Sequence, residues 1–131
     1  MGQPMILLVE DNAADVYLIR DAIEREGIQA HVVVLADGDK AVCHLELGEE
    51  TPDLIVLDLN LPKKNGIEVL EYIRANAVYR NMPAILFTSS SSRVERARID
   101  ALGVSAFLLK SFDLDEYNRI GPAIKSALAT A

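Results

Sequence analysis

The stretch LIVLDLNLPKKNG, from Leu54 to Gly66, decides the fold. Its first four residues are apolar without interruption, too few for a helix, and a proline- and glycine-bearing loop follows them. Such a run reads as a strand buried on both faces, the habit of parallel sheets. The same signature recurs on either side of it, in MILLV (Met5 to Val9), VVVLA (Val32 to Ala36), AILF (Ala84 to Phe87) and AFLL (Ala106 to Leu109). None of the five alternates apolar with polar residues, so all five are expected to be buried on both faces.

Each gap between the runs has room for one helix. Val16, Ile19, Ala22 and Ile23 form a helical stripe ending at Gly27, and Ile67, Leu70 and Ile73 form another. Val94, Ala97, Ala101 and Leu102 predict a third stripe, stopped by Gly103. Leu114, Tyr117, Ile120, Ile124 and Leu128 predict the last. A weaker helix spans Asp37 to Gly48, with Ala41, Val42 and Leu45 inward. Asn65 with Glu68, Ser92 with Glu95 and Asp113 with Glu116 have the spacing of capping boxes. Gly121-Pro122 should kink or split the final helix, because proline lacks the backbone donor. Strict alternation of strand and helix predicts a flavodoxin-like (βα)5 three-layer α/β sandwich, with a parallel five-stranded sheet of order 2-1-3-4-5.

Composition bounds the rest. The 131 residues suit one domain, expected over 1–131, since ~100–200 residues is the usual allotment. Half the residues are hydrophobic and 25% are charged, which excludes a disordered or collagen-like chain. No apolar run approaches the ~20 residues of a membrane span. No charged-then-apolar signal segment opens the chain, so a cytoplasmic location is expected. Cys43, the single cysteine, excludes an internal disulfide and a cysteine-rich metal site. The net charge of −7 argues against nucleic-acid binding by the bulk surface.

In a parallel sheet every strand ends on one rim, and ligands bind there. The first run is followed by Glu10 and Asp11, the third by Asp58, the fourth by Thr88 and the fifth by Lys110. The edge strand is followed by Asp37. Taken singly, these residues have plain readings: Asp11 or Asn12 as a helix cap, Thr88 as partner to a loop amide. Taken together, they form a coherent chemistry. Carboxylates crowded at one rim repel each other, and a hard dication such as Mg²⁺ relieves that repulsion. An ammonium and a hydroxyl beside it suit phosphoryl transfer, with Asp58 as nucleophile and an acyl phosphate as product.

The pieces ILLVEDN (Ile6 to Asn12), LIVLDLNLPKKNG, ILFTSS (Ile85 to Ser90) and AFLLK (Ala106 to Lys110) resemble the receiver domains of two-component response regulators. EDNAADV and LDLNLPKKNG are most similar to the stand-alone receivers associated with phytochromes. The resemblance implies that Asp58 accepts phosphate from a histidine on a sensor kinase, a bacterial phytochrome among the candidates, or from a histidine phosphotransfer protein. It implies Mg²⁺ held by Glu10, Asp11, Asp58 and the backbone carbonyl of Asn60. Thr88 and Lys110 would bind the phosphoryl group, and Phe107 would be the aromatic that turns inward as Thr88 moves; its plain reading is core packing. Asn60 and Ser90 stand where such domains tune phosphoryl lifetime; both are small and polar, so a moderately short-lived group is expected. Ser89, beside Thr88, is small enough to leave the pocket open.

One departure stands out. Ser111 follows Lys110 where the family usually has a proline across a cis bond.

With one domain expected, the output must pass through a surface. Arg93, Arg96 and Arg98 on the fourth helix, with Lys63-Lys64, are either a solvated charged face or a docking face for a partner or a second copy. Tyr72 and Tyr79 read as surface anchors or helix packing. Final effector and intermediate phosphate shuttle both fit. A flavin module of this fold needs a phosphate-cradling loop after the first strand, and EDNAAD repels phosphate. A phosphatase of the haloacid-dehalogenase type needs a second aspartate where this chain has Asn60. A degenerate receiver would lack one of the paired acids, Asp58 or Lys110.

Overall fold

The structure, a computed structural model, describes residues 2–89, 91–110 and 114–129, with backbone alone at 114 and 116. Along the chain run β1 (Met5–Val9), α1 (Ala13–Arg25), β2 (His31–Leu35), α2 (Gly38–Leu47), β3 (Leu54–Leu57) and α3 (Gly66–Ala75). There follow β4 (Ala84–Thr88), α4 (Arg93–Leu102), β5 (Ala106–Leu109), α5 (Leu114–Tyr117) and α6 (Ile120–Ala129). All pairings are parallel, in the order β2-β1-β3-β4-β5. The expected flavodoxin-like topology is the observed one.

Because successive strand residues point to opposite faces, each central strand feeds two cores. Leu7, Val9, Ile55, Leu57 and Leu86 pack under α2, α3 and α4. Ile6, Leu8, Leu54, Val56, Ile85 and Phe87 pack under α1 and α6. Each fully buried Leu or Ile contributes ~1.5–3 kcal/mol relative to exposure, so the doubly covered central strands anchor the sheet.

Local signals explain most boundaries. Asn12, Asp37, Asn65 and Ser92 each accept a backbone N–H at the start of a helix. Two of these are full capping boxes, Asn65 with Glu68 and Ser92 with Glu95. The Asp113–Glu116 pair lies outside the described residues. The last helix splits as Pro122 requires: α5 stops at Tyr117, and α6 begins so that Pro122 falls in its first turn, where a missing donor costs nothing.

Three expectations need correction. β2 and β5 are edge strands and only half-buried, in contrast to β1, β3 and β4, which are buried throughout. A run without alternation therefore reported strand, but not two-sided burial. β4 also extends one residue further, so that Thr88 is its last residue rather than its successor. On α4 the predicted stripe faces water: Val94, Ala97 and Ala101 are exposed, Leu102 is half-buried, and the buried residue is Ile99. Alanine and valine at helical spacing imitate a core stripe without the volume to fill one.

Candidate functional site

The ladder continues one residue past three strands and so fixes the backbone of the site. Glu10 donates its N–H to Leu35, Asp58 to Val9 and Lys110 to Thr88. Four strand ends thereby meet at one rim. Glu10 and Asp58 are 3% and 6% exposed, Thr88 is fully buried, and Asp11 faces solvent. One carboxylate oxygen from each of Glu10, Asp11 and Asp58 lies within 4.8 Å of the others.

Lys110 holds this cluster together. Its Nζ donates to Glu10 Oε1 at 2.6 Å, Asp15 Oδ2 at 2.8 Å and Asp58 Oδ2 at 2.9 Å. An ammonium has three donors, and all three are used. Burial alone would lower the Lys110 pKa, but the hydrogen bonds to Asp15, Glu10 and Asp58 outweigh it and raise the pKa above the ordinary value. Glu10 moves the other way from a typical paired acid. Burial pushes its carboxyl up to about 7, only partly offset by the bonds from Lys110 and the Asn12 amide.

Asp58 is held from both sides, since its Oδ1 accepts the Asn60 amide at 3.2 Å. The Asn60 side chain donates to Thr88 Oγ1 at 3.3 Å, which links the third strand end to the fourth. The rigid floor under Asp58 comes from Gly66. A Cβ there would collide with the Asp58 carbonyl and the Leu59 Cα, so only glycine lets α3 start so close. In the intervening loop Lys63 adopts a left-handed backbone, φ 68°.

Glu10, Asp11, Asp58, Thr88 and Lys110 are thus brought together, with Asn60 beside them. Asp37 is not among them; it caps α2 by accepting the Lys40 amide. Ser89 is exposed, and Ser90 and the Lys110–Ser111 bond lie outside the described residues. Phe107 is half-buried against the α3–α4 core, and the Arg96 guanidinium stands 4.0 Å from its ring centre. Arg96 and Arg98 also pair with Asp100 and Glu71, and Lys64 with Asp39. Tyr79 is helix packing, buried with its hydroxyl donating to Leu45 O.

Sequence reasoning missed Asp15 and Tyr117. Asp15, in the first turn of α1, takes one donor of Lys110, and the Tyr117 hydroxyl donates to its other oxygen at 2.7 Å. A first-turn acid is ordinary at a helix start, and Tyr117 belongs to an apolar stripe, so neither carries a signal by itself. The clue available was a count of donors: the Lys110 ammonium has three, and Glu10 and Asp58 take only two of them.

Residues 6–120 match the response regulator receiver domain. The chain belongs to the response regulator receiver family. It takes part in that family's class of process, two-component signalling. FilR2 of Methanothrix harundinacea, a probable methanogenesis regulatory protein, is 36% identical over 125 residues, 92% of this chain and 81% of its own length. The response regulator Rcp1 of Synechocystis is 35% identical over 127 residues, 93% and 86% of the two lengths. Among solved structures, the phosphorylated cyanobacterial phytochrome response regulator RcpA superposes with a TM-score of 0.88 at 34% identity, covering 99% of this receiver and 97% of RcpA. Mn²⁺-bound Rcp1 gives 0.85 at 34%, covering 94% and 92%. The expected likeness to phytochrome-associated receivers is therefore found. Receivers bind Mg²⁺ or Mn²⁺ at an acidic pocket, and three converging carboxylates of this chain are the oxygen donors a hard dication takes. No described helix is long and apolar enough to cross a membrane.

Proposed function

We propose that this receiver accepts a phosphoryl group on Asp58 from a phosphohistidine of a sensor histidine kinase or a histidine phosphotransfer protein, and that the modified form binds different partners. The observation that carries this reading is the Lys110 ammonium, 2.9 Å from Asp58 Oδ2 at the rim where the acid pair also converges. The likeness to RcpA and Rcp1 supports a phytochrome-type kinase as the donor. A cytoplasmic site of action goes with that role.

A carboxylate oxygen of Asp58 attacks phosphorus. The new O–P bond forms as the P–N bond of the phosphohistidine breaks, and the electron pair leaves with the imidazole, which takes a proton from solvent. Glu10, Asp11, Asp58 and the Asn60 carbonyl would hold Mg²⁺, which supplies positive charge to the phosphoryl oxygens. Lys110 re-aims the donor now spent on Asp58 toward the added oxygens, and the Thr88 hydroxyl offers another. The Asn60 amide keeps the Asp58 carboxylate in one orientation throughout. Asn60 is small and exposed, so water reaches the acyl phosphate and the signal decays instead of persisting for many hours. The chain catalyses only its own phosphorylation and dephosphorylation.

The switch is a shift in population: the phosphoryl group binds one arrangement of Thr88 and Phe107 better than the other. Incubation with Mg²⁺ and a small acyl phosphate, followed by intact-mass detection, tests the reading. Wild type gains one phosphoryl group and Asp58→Asn gains none. Equal labelling of both overturns the assignment.

A further inference from the structure

We propose that Asp15 and Tyr117 are positioning residues for the phosphoryl transfer: they hold the Lys110 ammonium where Asp58 reacts. This rests on the reading of Asp58 as phosphoacceptor. Glu10 and Asp58 each have a second duty, as metal ligands, and Asp58 also as nucleophile. Asp15 stands outside the Glu10–Asp11–Asp58 group, so it is the one carboxylate dedicated to Lys110. Its side chain has one oxygen on the ammonium and the other on the Tyr117 hydroxyl, at 2.8 and 2.7 Å. A carboxylate tied at both oxygens cannot rotate away when the charge at Asp58 changes.

Both anchors are themselves held. Asp15 lies in the first turn of α1, where its backbone N–H donates to the Asn12 cap and the helix dipole favours its negative charge. The Tyr117 ring meets the Phe87 ring edge-on, 5.0 Å between centroids at 84°, and Lys110 Nζ stands 5.8 Å from the same Phe87 ring centre. Lys110, Asp15, Tyr117 and Phe87 therefore close a circuit around the end of β4, joining α1 to α5 through the reacting site. Burial, with the bond to Asp15, raises the Tyr117 pKa, so the hydroxyl stays a donor at any working pH. If the ammonium lost Asp15, it would settle on Glu10 and Asp58 alone, misplaced for the incoming group and competing with the metal for the same oxygens.

The test uses the full chain with Asp15→Asn, which keeps the shape, and Tyr117→Phe, which keeps the ring contact with Phe87. At saturating Mg²⁺ and acyl phosphate, Asp15→Asn lowers the maximal phosphorylation rate about tenfold, the scale of one charge-assisted hydrogen bond. Tyr117→Phe lowers it about threefold, the scale of one neutral bond. Independently, acylation of the metal-free proteins with an amine-specific reagent is read at Lys110, with Lys40, Lys63 and Lys125 as internal references. Labelling of Lys110 rises in both variants and the references stay level. A wild-type rate in Asp15→Asn overturns the proposal, even if its melting temperature falls. So does a slowed rate with Lys110 still protected, which would mark the pair as a mere tie between α1 and α5. Should wild type take no phosphoryl group, the function proposed above fails, while Lys110 labelling still decides whether Asp15 holds the ammonium.

Discussion

Helices α3 and α4 have ten residues each, start with a full capping box and lie side by side on the same face of the sheet. α3 buries five residues, Gly66, Ile67, Val69, Leu70 and Ile73, whereas α4 buries Ile99 alone. α4 is instead held by polar clamps. Arg98 pairs with Glu71 at 2.6 Å, and Arg74 of α3 donates to the carbonyls of Leu102 and Gly103 at its far end. Burial gives α3 one position, which suits a helix that starts against the backbone of Asp58. Exposed polar contacts are worth little each and are remade easily, which would suit a helix beside Thr88 and Phe107 if those residues switch as proposed above.

The largest expected effect comes from testing burial directly. Leu70→Ala should cost ~2–5 kcal/mol of stability in urea denaturation, as for other fully buried leucines. Val94→Ala, on the face 71% exposed at that residue, should stay within about 0.5 kcal/mol of wild type. A cost at Val94 similar to that at Leu70 would show α4 packed as tightly as α3 and end the comparison.

Charge divides the two neighbourhoods as burial does. α3 starts against a rim where Glu10 and Asp58 are buried, whereas the ion pairs of α4 are exposed. In the metal-free protein Glu10 is raised from 4.5 to about 7. A carboxyl whose pKa is higher folded than unfolded lends stability that is complete below the unfolded value and lost as pH rises through the folded one. The metal-free melting temperature should therefore decline between pH 4.5 and 7 by the share due to Glu10. That share is absent in Glu10→Gln, and the difference between the two melting curves isolates it. Mg²⁺ requires the ionised carboxylate, so its affinity should weaken as pH falls below about 7. A titration of Mg²⁺ affinity that is flat from pH 5.5 to 8 would contradict the burial-driven shift.

The strands and the side chains that converge at the rim were legible in the sequence for one reason. A parallel sheet turns position in the chain, one residue past an apolar run, into position in space. Glu10, Asp58 and Lys110 needed no more than that rule. α4 was misread because small apolar residues at helical spacing look alike whether they face a core or water, and only the depth of Ile99 in the core shared with α3 distinguishes them. The half-burial of β2 and β5 depends on which strands lie at the edges, a property of the assembled sheet. Asp15 escaped for a similar reason: its partners Lys110 and Tyr117 lie 95 and 102 residues away in the chain, and no local pattern records a contact of that span.

The clamp on the end of α4 comes next in size. Arg74→Met keeps the aliphatic stem and removes donors from the carbonyls of Leu102, Gly103, Arg80 and Met82. Water replaces the lost donors at the exposed Gly103 and Arg80 carbonyls, but leaving the part-buried Leu102 and Met82 carbonyls without a partner should cost ~1–3 kcal/mol. The signature is local: hydrogen exchange at residues 101–103 should accelerate more than in the body of α3. Uniform acceleration across both helices would mean that Arg74 stabilises the domain as a whole, with α4 not specially dependent on it.

The smallest effect is the most telling about switching. Arg96 caps the outer face of Phe107 while the inner face lies on the core, so the ring is held between a cation and apolar side chains. At an exposed site a cation–π contact is worth ~0.5–1 kcal/mol, and the Arg96–Asp100 pair adds only a few tenths. Arg96→Leu should accordingly leave overall stability nearly unchanged. Set against the two arrangements proposed above for Phe107, the same ~1 kcal/mol would shift populations by up to about fivefold, a large change for any partner that reads one state. Fluorine NMR of a ring-fluorinated phenylalanine at position 107 separates the two consequences. The resonance should move or broaden in Arg96→Leu while the urea midpoint stays put, because the contact acts on the difference between two folded arrangements and hardly on folding itself. An unmoved, equally sharp resonance would show Phe107 fixed by the core alone, and α4 would then lose its claim to be the adjustable helix of the pair.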